Sequence, residues 1–100
     1  MDIKEIADKV GQVSDTYAKN CDIQRDDDWY LLKLQEELGE LTQQHLKVSK
    51  RARMSESVEG HKELLSEEVA DVFAHVLLYA QKNNIDLEAA LEKKWFSWLK

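Results

Sequence analysis

The sequence predicts an all-α fold, and three observations carry that prediction. Apolar residues recur every three or four positions in four stretches, no window alternates with period two, and the good helix formers Leu, Glu, Lys, Gln and Ala fill each stretch. The chain has three glycines and no proline, so nothing marks a linker or a second domain, and residues 1–100 are read as a single domain.

The first helix is expected at about 2–18, where Ile3, Ile6, Val10, Val13 and Tyr17 share a face. Asn20 to Arg25 then forms a turn, and Asp26 to Asp28 supply acidic groups for the start of a second helix at about 27–51. Its apolar positions are Leu31, Leu34, Leu38, Leu41 and Val48. A third helix, at about 57–81, carries Leu65, Val69, Val72, Val76 and Ala80; the connection near Met54 to Gly60 pairs it antiparallel with the second. After Asn83-Asn84, Asp86 caps a fourth helix at about 86–99, with Leu87, Ala90, Leu91, Trp95 and Trp98 on its apolar side. The expected architecture is an antiparallel four-helix bundle-like subunit. A chain this short buries a small core, so a partner subunit would help to complete it. The apolar end formed by Trp95, Phe96, Trp98 and Leu99 is expected to pack in an interface.

A net charge of −6 and a pI near 5.0 argue against binding a nucleic-acid polymer, which needs a basic face to displace counterions. No apolar run approaches the roughly 20 residues of a membrane span, so neither a membrane partner nor a signal peptide is expected. Cys21 is alone, is expected to be a small, partly buried side chain rather than a nucleophile, and suits a reducing, cytoplasmic setting.

The chemistry is concentrated in the second and third helices. Glu37 and Glu40 stand three residues apart on one flank of the second helix, with Glu36 one turn from Glu40 and Lys33 along the same edge. From Val69 to Ala80 the third helix reads VADVFAHVLLYA, apolar nearly all round except for Asp71 and His75, and it is therefore expected to be buried. Glu68, Asp71 and His75 fall on one stripe, where a bundle helix ordinarily carries core residues. Facing carboxylates repel, and burying them unpaired is costly, so a bound cation is the simplest resolution. An all-oxygen donor set favours magnesium, with manganese as a substitute, and a magnesium site open on one side suits a phosphate chain. A di-iron bundle would need Glu-x-x-His on two helices, and no glutamate here has a histidine three positions later. His45 and His61 lie outside the acidic stripes and read as surface residues.

These residues resemble a known pattern. KLQEELGEL, ending at Leu41, followed by LSEEVADVFAHVLLYA, ending at Ala80, is similar to the EExxE and ExxD motifs of MazG-like all-α nucleotide pyrophosphohydrolases, and NNIDLEAALEKKW looks like the segment leading into that family's last helix. The resemblance runs from about Trp29 to Trp95. It implies magnesium-dependent cleavage of nucleoside or deoxynucleoside triphosphates between the α and β phosphates, giving the monophosphate and pyrophosphate, as nucleotide-pool house-cleaning. It implies magnesium held by Glu37, Glu40, Glu68 and Asp71, with Glu36 orienting or deprotonating water. It also implies His75 against the nucleotide, Lys94 at the phosphate-side lysine position, and a homodimer or a dimer of dimers. Lys33 is a further candidate to neutralise phosphate charge, and Trp29 to stack on a base. Two alternatives remain open at this point: a noncatalytic helical interaction or regulatory protein with a degenerate site, and a hydrolase of another pyrophosphate-containing metabolite.

Overall fold

The computed structural model describes residues 1–99, which form four α-helices and a short 3₁₀ turn: α1 (Ile3–Asn20), α2 (Trp29–Val48), α3 (Val58–Lys82), α4 (Leu87–Lys94) and the turn Phe96–Trp98. No strand occurs among the described residues. Three of the helices start on side-chain caps. Asp2 accepts from the Glu5 N–H at 2.8 Å, Ser57 from Gly60 at 3.0 Å and Asp86 from Ala89 at 3.0 Å. For α2 the acid is Asp26, which accepts from the backbone of Asp28 and Trp29 in a turn, so the helix begins at Trp29 rather than at about 27.

The three long helices end alike. Asp22, Lys50 and Asn84 adopt left-handed φ values of 52°, 62° and 54°. The next residue's N–H donates back five positions, from Ile23 to Ala18, Arg51 to Leu46 and Ile85 to Ala80. These are Schellman closures. At Lys50 the closure has no glycine or asparagine to announce it, which is why α2 stops at Val48 rather than near 51. The expected fourth helix is also shorter, giving way at Trp95 to the 3₁₀ turn.

α2 and α3 pack antiparallel: Gln44 near the end of α2 meets His61 near the start of α3, and Trp29 at the start of α2 lies 6.2 Å from the His75 ring. α1 lies against α3, where the Gln81 amide donates to the Ala7 carbonyl at 2.8 Å. A Cβ on Gly11 would stand 3.1 Å from that amide's oxygen, so the missing side chain permits the approach. Arg25 ties the α1–α2 connection down by donating to Ser14 and Asp15, and Arg25 and Lys82 both sit over the Tyr30 ring.

Among the described residues, the fully enclosed apolar core is only Ala18, Leu77, Leu78 and Ala80. α4 makes little contact with the three long helices, so the chain is a three-helix layer with an arm rather than a closed four-helix bundle. The radius of gyration is 16.0 Å, against about 13 Å for a compact domain of this length. Nor is α3 buried all round: Val69 and Phe73 are half exposed, as are Leu31 and Leu38 of α2. At about 100° per residue these four project from the same side of the α2–α3 pair, opposite α1. Trp95, Trp98 and Leu99 are also largely exposed. No helix among the described residues is long and apolar enough to cross a membrane.

Candidate metal centre

The antiparallel packing of α2 on α3 brings the two acidic pairs together at mid-length. Ligand atoms of Glu37, Glu68 and Asp71 lie within 4.8 Å of one another, and those of Glu36, Glu37 and Glu40 form a second such group. Glu37 belongs to both. Its placement follows from its helical position between Leu34 and Leu41, which points it at α3. Among the described residues Glu37 is the one buried carboxylate, 8% exposed; Glu40 and Glu68 are half-buried, while Glu36 and Asp71 are exposed. Core burial of the acids, expected from the sequence for Asp71 above all, is realised at Glu37 instead, because the chain leaves that flank of α3 open.

The cluster is electrostatically strained. Glu37 Oε2 and Glu68 Oε2 are buried without a hydrogen-bond partner. Burial, then a proton-mediated hydrogen bond with Glu40 and the charges of Glu40 and Asp71, push the Glu37 carboxyl up to about 7, against the opposing pull of Lys33. Glu68 is raised as well, by burial first and then by Glu40, Asp71 and Glu67. Glu36 differs: Lys33 Nζ donates to it at 2.8 Å and holds its pKa below the ordinary carboxylate value. Lys33 also approaches Glu37 Oε1 at 3.8 Å. A dication among these oxygens would supply the missing partners, and the donor set is the hard, all-oxygen kind that magnesium and manganese accept.

Beside the acids opens a cavity of about 430 Å³. Val10, Val13 and Tyr17 of α1 form one wall; Trp29, Lys33 and Glu37 of α2 and Asp71, His75 and Leu78 of α3 complete it. Trp29 stands edge-on to Tyr30. His75 Nε2 lies 3.9 Å from Glu37 Oε1, and its Nδ1 is buried without a partner. Burial, and next the Lys33 charge, lower the His75 pKa, so the imidazole is neutral at pH 7 and can offer one donor and one acceptor. The cavity thus combines charged groups with apolar and aromatic ones.

The structure brings together eight of the nine sequence candidates: Glu36, Glu37, Glu40, Glu68, Asp71, Lys33, His75 and Trp29. Lys94 stands apart, exposed on α4, outside the cavity lining and, among the described residues, without an ion pair. The α1 wall went unrecognised as part of the site because Val10, Val13 and Tyr17 read as ordinary core positions of an amphipathic helix. Their signal is exposure rather than type, since Val13 and Tyr17 remain 69% and 58% exposed at the cavity rim. Two other expectations change. His61 is completely buried rather than at the surface, and Cys21 is exposed rather than partly buried. Comparison with protein-family models, with curated proteins and with solved structures returned no match.

Proposed function

We propose that the chain is a magnesium-dependent nucleoside triphosphate pyrophosphohydrolase that releases the monophosphate and pyrophosphate, with a role in clearing unwanted nucleotides. The observation that carries this reading is the buried Glu37 carboxylate, one oxygen of which has no hydrogen-bond partner, shared between two acidic groups and lining a cavity that also carries aromatic side chains. Such a cavity matches a ligand with a polyanionic chain and a flat, apolar ring system. The ordered acidic pairs, which resemble the MazG-like motifs, point the same way.

In this reading Glu37, Glu40, Glu68 and Asp71 hold magnesium, or manganese in its place. The bound ion would offset their mutual repulsion and polarise phosphate oxygens. Glu36, kept ionised by Lys33, orients a water and accepts its proton as the new bond to the α-phosphorus forms and the α–β anhydride bond breaks. Lys33 shifts from Glu36 toward the phosphates. Trp29 and Tyr17 flank the base, and neutral His75 meets its polar edge.

The same proposal includes a homodimer, or a dimer of dimers. One subunit exposes 7867 Å², whereas a folded monomer of 11.7 kDa exposes about 5,900 Å². The excess is larger than the roughly 800 Å² that each partner contributes to a standard interface. The Leu31, Leu38, Val69 and Phe73 side of the α2–α3 pair supplies an apolar centre for it.

The test is release of pyrophosphate and monophosphate from a panel of ribo- and deoxynucleoside triphosphates, with Mg²⁺ and with EDTA, by the wild type and Glu40→Ala. Release that needs both the metal and Glu40 is the expected result. No release from any nucleotide would refute the proposal.

A further inference from the structure

The α2–α3 connection contains a buried histidine that the proposed chemistry does not use. His61 is 0% exposed. Its Nε2 accepts from the backbone N–H groups of Ser55 at 3.3 Å and Glu56 at 3.1 Å, which leaves the ring proton on Nδ1, and Nδ1 donates to Gln44 Oε1 at 3.1 Å. One imidazole thereby fastens three pieces of chain: α3, which carries it, the connection that precedes α3, and the last turns of α2.

Its position along the helices is what matters. Seven residues back along α2 from Gln44 is Glu37, and seven residues forward along α3 from His61 is Glu68. In an antiparallel pair those steps run the same way over the same distance, about 10 Å, so the register that joins Gln44 to His61 is the register that sets Glu37 against Glu68. Sliding α2 by one turn, about 5.4 Å, would instead set Glu37 against Leu64 or Val72 and disperse the carboxylates. Repulsion among the acids favours such a slide, so the aligned register needs a contact that resists it. A buried polar pair is a known device for fixing helix register, since slippage leaves its donors and acceptors unpaired.

We infer that the His61–Gln44 pair is a register lock that holds the two acidic motifs in metal-binding alignment, making both residues positioning residues for the site. This rests on the metal-binding reading above. It is tested by Mn²⁺ binding to the intact chain, followed by electron paramagnetic resonance, for the wild type, Gln44→Leu, His61→Ala, His61→Gln and the control Leu77→Ala. Leu77 is buried in the core but lies on the side of α3 turned away from the acids, so its truncation lowers stability without touching the seam.

Gln44→Leu and His61→Ala are expected to weaken Mn²⁺ binding about tenfold, the lower end for groups that orient ligands from outside the coordination sphere, with His61→Gln restoring it to within about twofold. The rescue is expected because a glutamine oxygen can accept the two loop N–H groups while its amide donates to Gln44. Leu77→Ala should melt earlier yet bind Mn²⁺ like the wild type. Wild-type affinity in Gln44→Leu and His61→Ala would overturn the lock and leave the metal site standing, as would an equal loss in Leu77→Ala. A wild type that binds no Mn²⁺ would overturn the metal reading and the lock together.

Discussion

Replacing Glu37 by glutamine should make the metal-free protein more stable, although it removes the carboxylate at the heart of the site. The Glu37 carboxyl is pushed from an ordinary value of 4.5 up to about 7 in the folded chain. A raised folded pKa means that the folded state favours the proton. Stability from this group is therefore fully present below pH 4.5 and is lost as pH rises through 7. The whole shift corresponds to about 3 kcal/mol at pH 8, and the coupling of Glu37 to the charges around it reduces what a single substitution recovers to about 1–2 kcal/mol. At about 4–8 °C per kcal/mol for a domain of this size, Glu37→Gln in EDTA at pH 8 should melt about 5–10 °C above the wild type. The gain should vanish at pH 4.5. Magnesium should reverse the order, because a ligand at a hundred times its dissociation constant stabilises the wild type by about 2.7 kcal/mol and Glu37→Gln by much less. The assay is thermal unfolding followed by circular dichroism, at one protein concentration, at pH 4.5 and 8, with EDTA and with Mg²⁺. A Glu37→Gln variant less stable than the wild type at pH 8 in EDTA, or equally stabilised by Mg²⁺, would refute the reasoning.

Two further outcomes are expected. Trp29→Ala should raise KM for the preferred nucleotide about tenfold while changing kcat much less, as the loss of a stacking face worth about 1–3 kcal/mol requires; steady-state kinetics decides it. Phe73→Asp places a charge at the centre of the exposed α2–α3 side and should convert the proposed dimer to monomer in analytical ultracentrifugation, whereas an unchanged mass would refute this side as the interface.

The clustering of the acids was readable because it follows helical spacing. Glu37 with Glu40 and Glu68 with Asp71 each lie three residues apart, and any antiparallel pairing of their helices that aligns the two motifs makes a cluster. Burial was not readable in the same way. Spacing shows which residues share a face, but not which faces a single subunit covers, so the open flank at Asp71 and the exposed side at Val69 and Phe73 emerge only from the packing. His61 shows the converse: a polar residue near a helix start reads as surface until three partners are seen to saturate it. The C-terminal arm was missed for another reason. Helical periodicity continues through Trp95, but a helix packed on little else has only its own hydrogen bonds to sustain it, and it gives out after two turns.

Gly39 lies between Glu37 and Glu40 inside α2. A Cβ there would meet no atom within 4 Å, and the backbone keeps ordinary helical geometry, so neither close packing nor a left-handed turn calls for glycine at this position. Relative to alanine it costs the helix about 1 kcal/mol. α2 is thus made most pliable at the point from which two of the four proposed ligands spring. A Gly39→Ala substitution, which the surrounding space admits, would therefore stiffen α2 between those carboxylates without a steric clash.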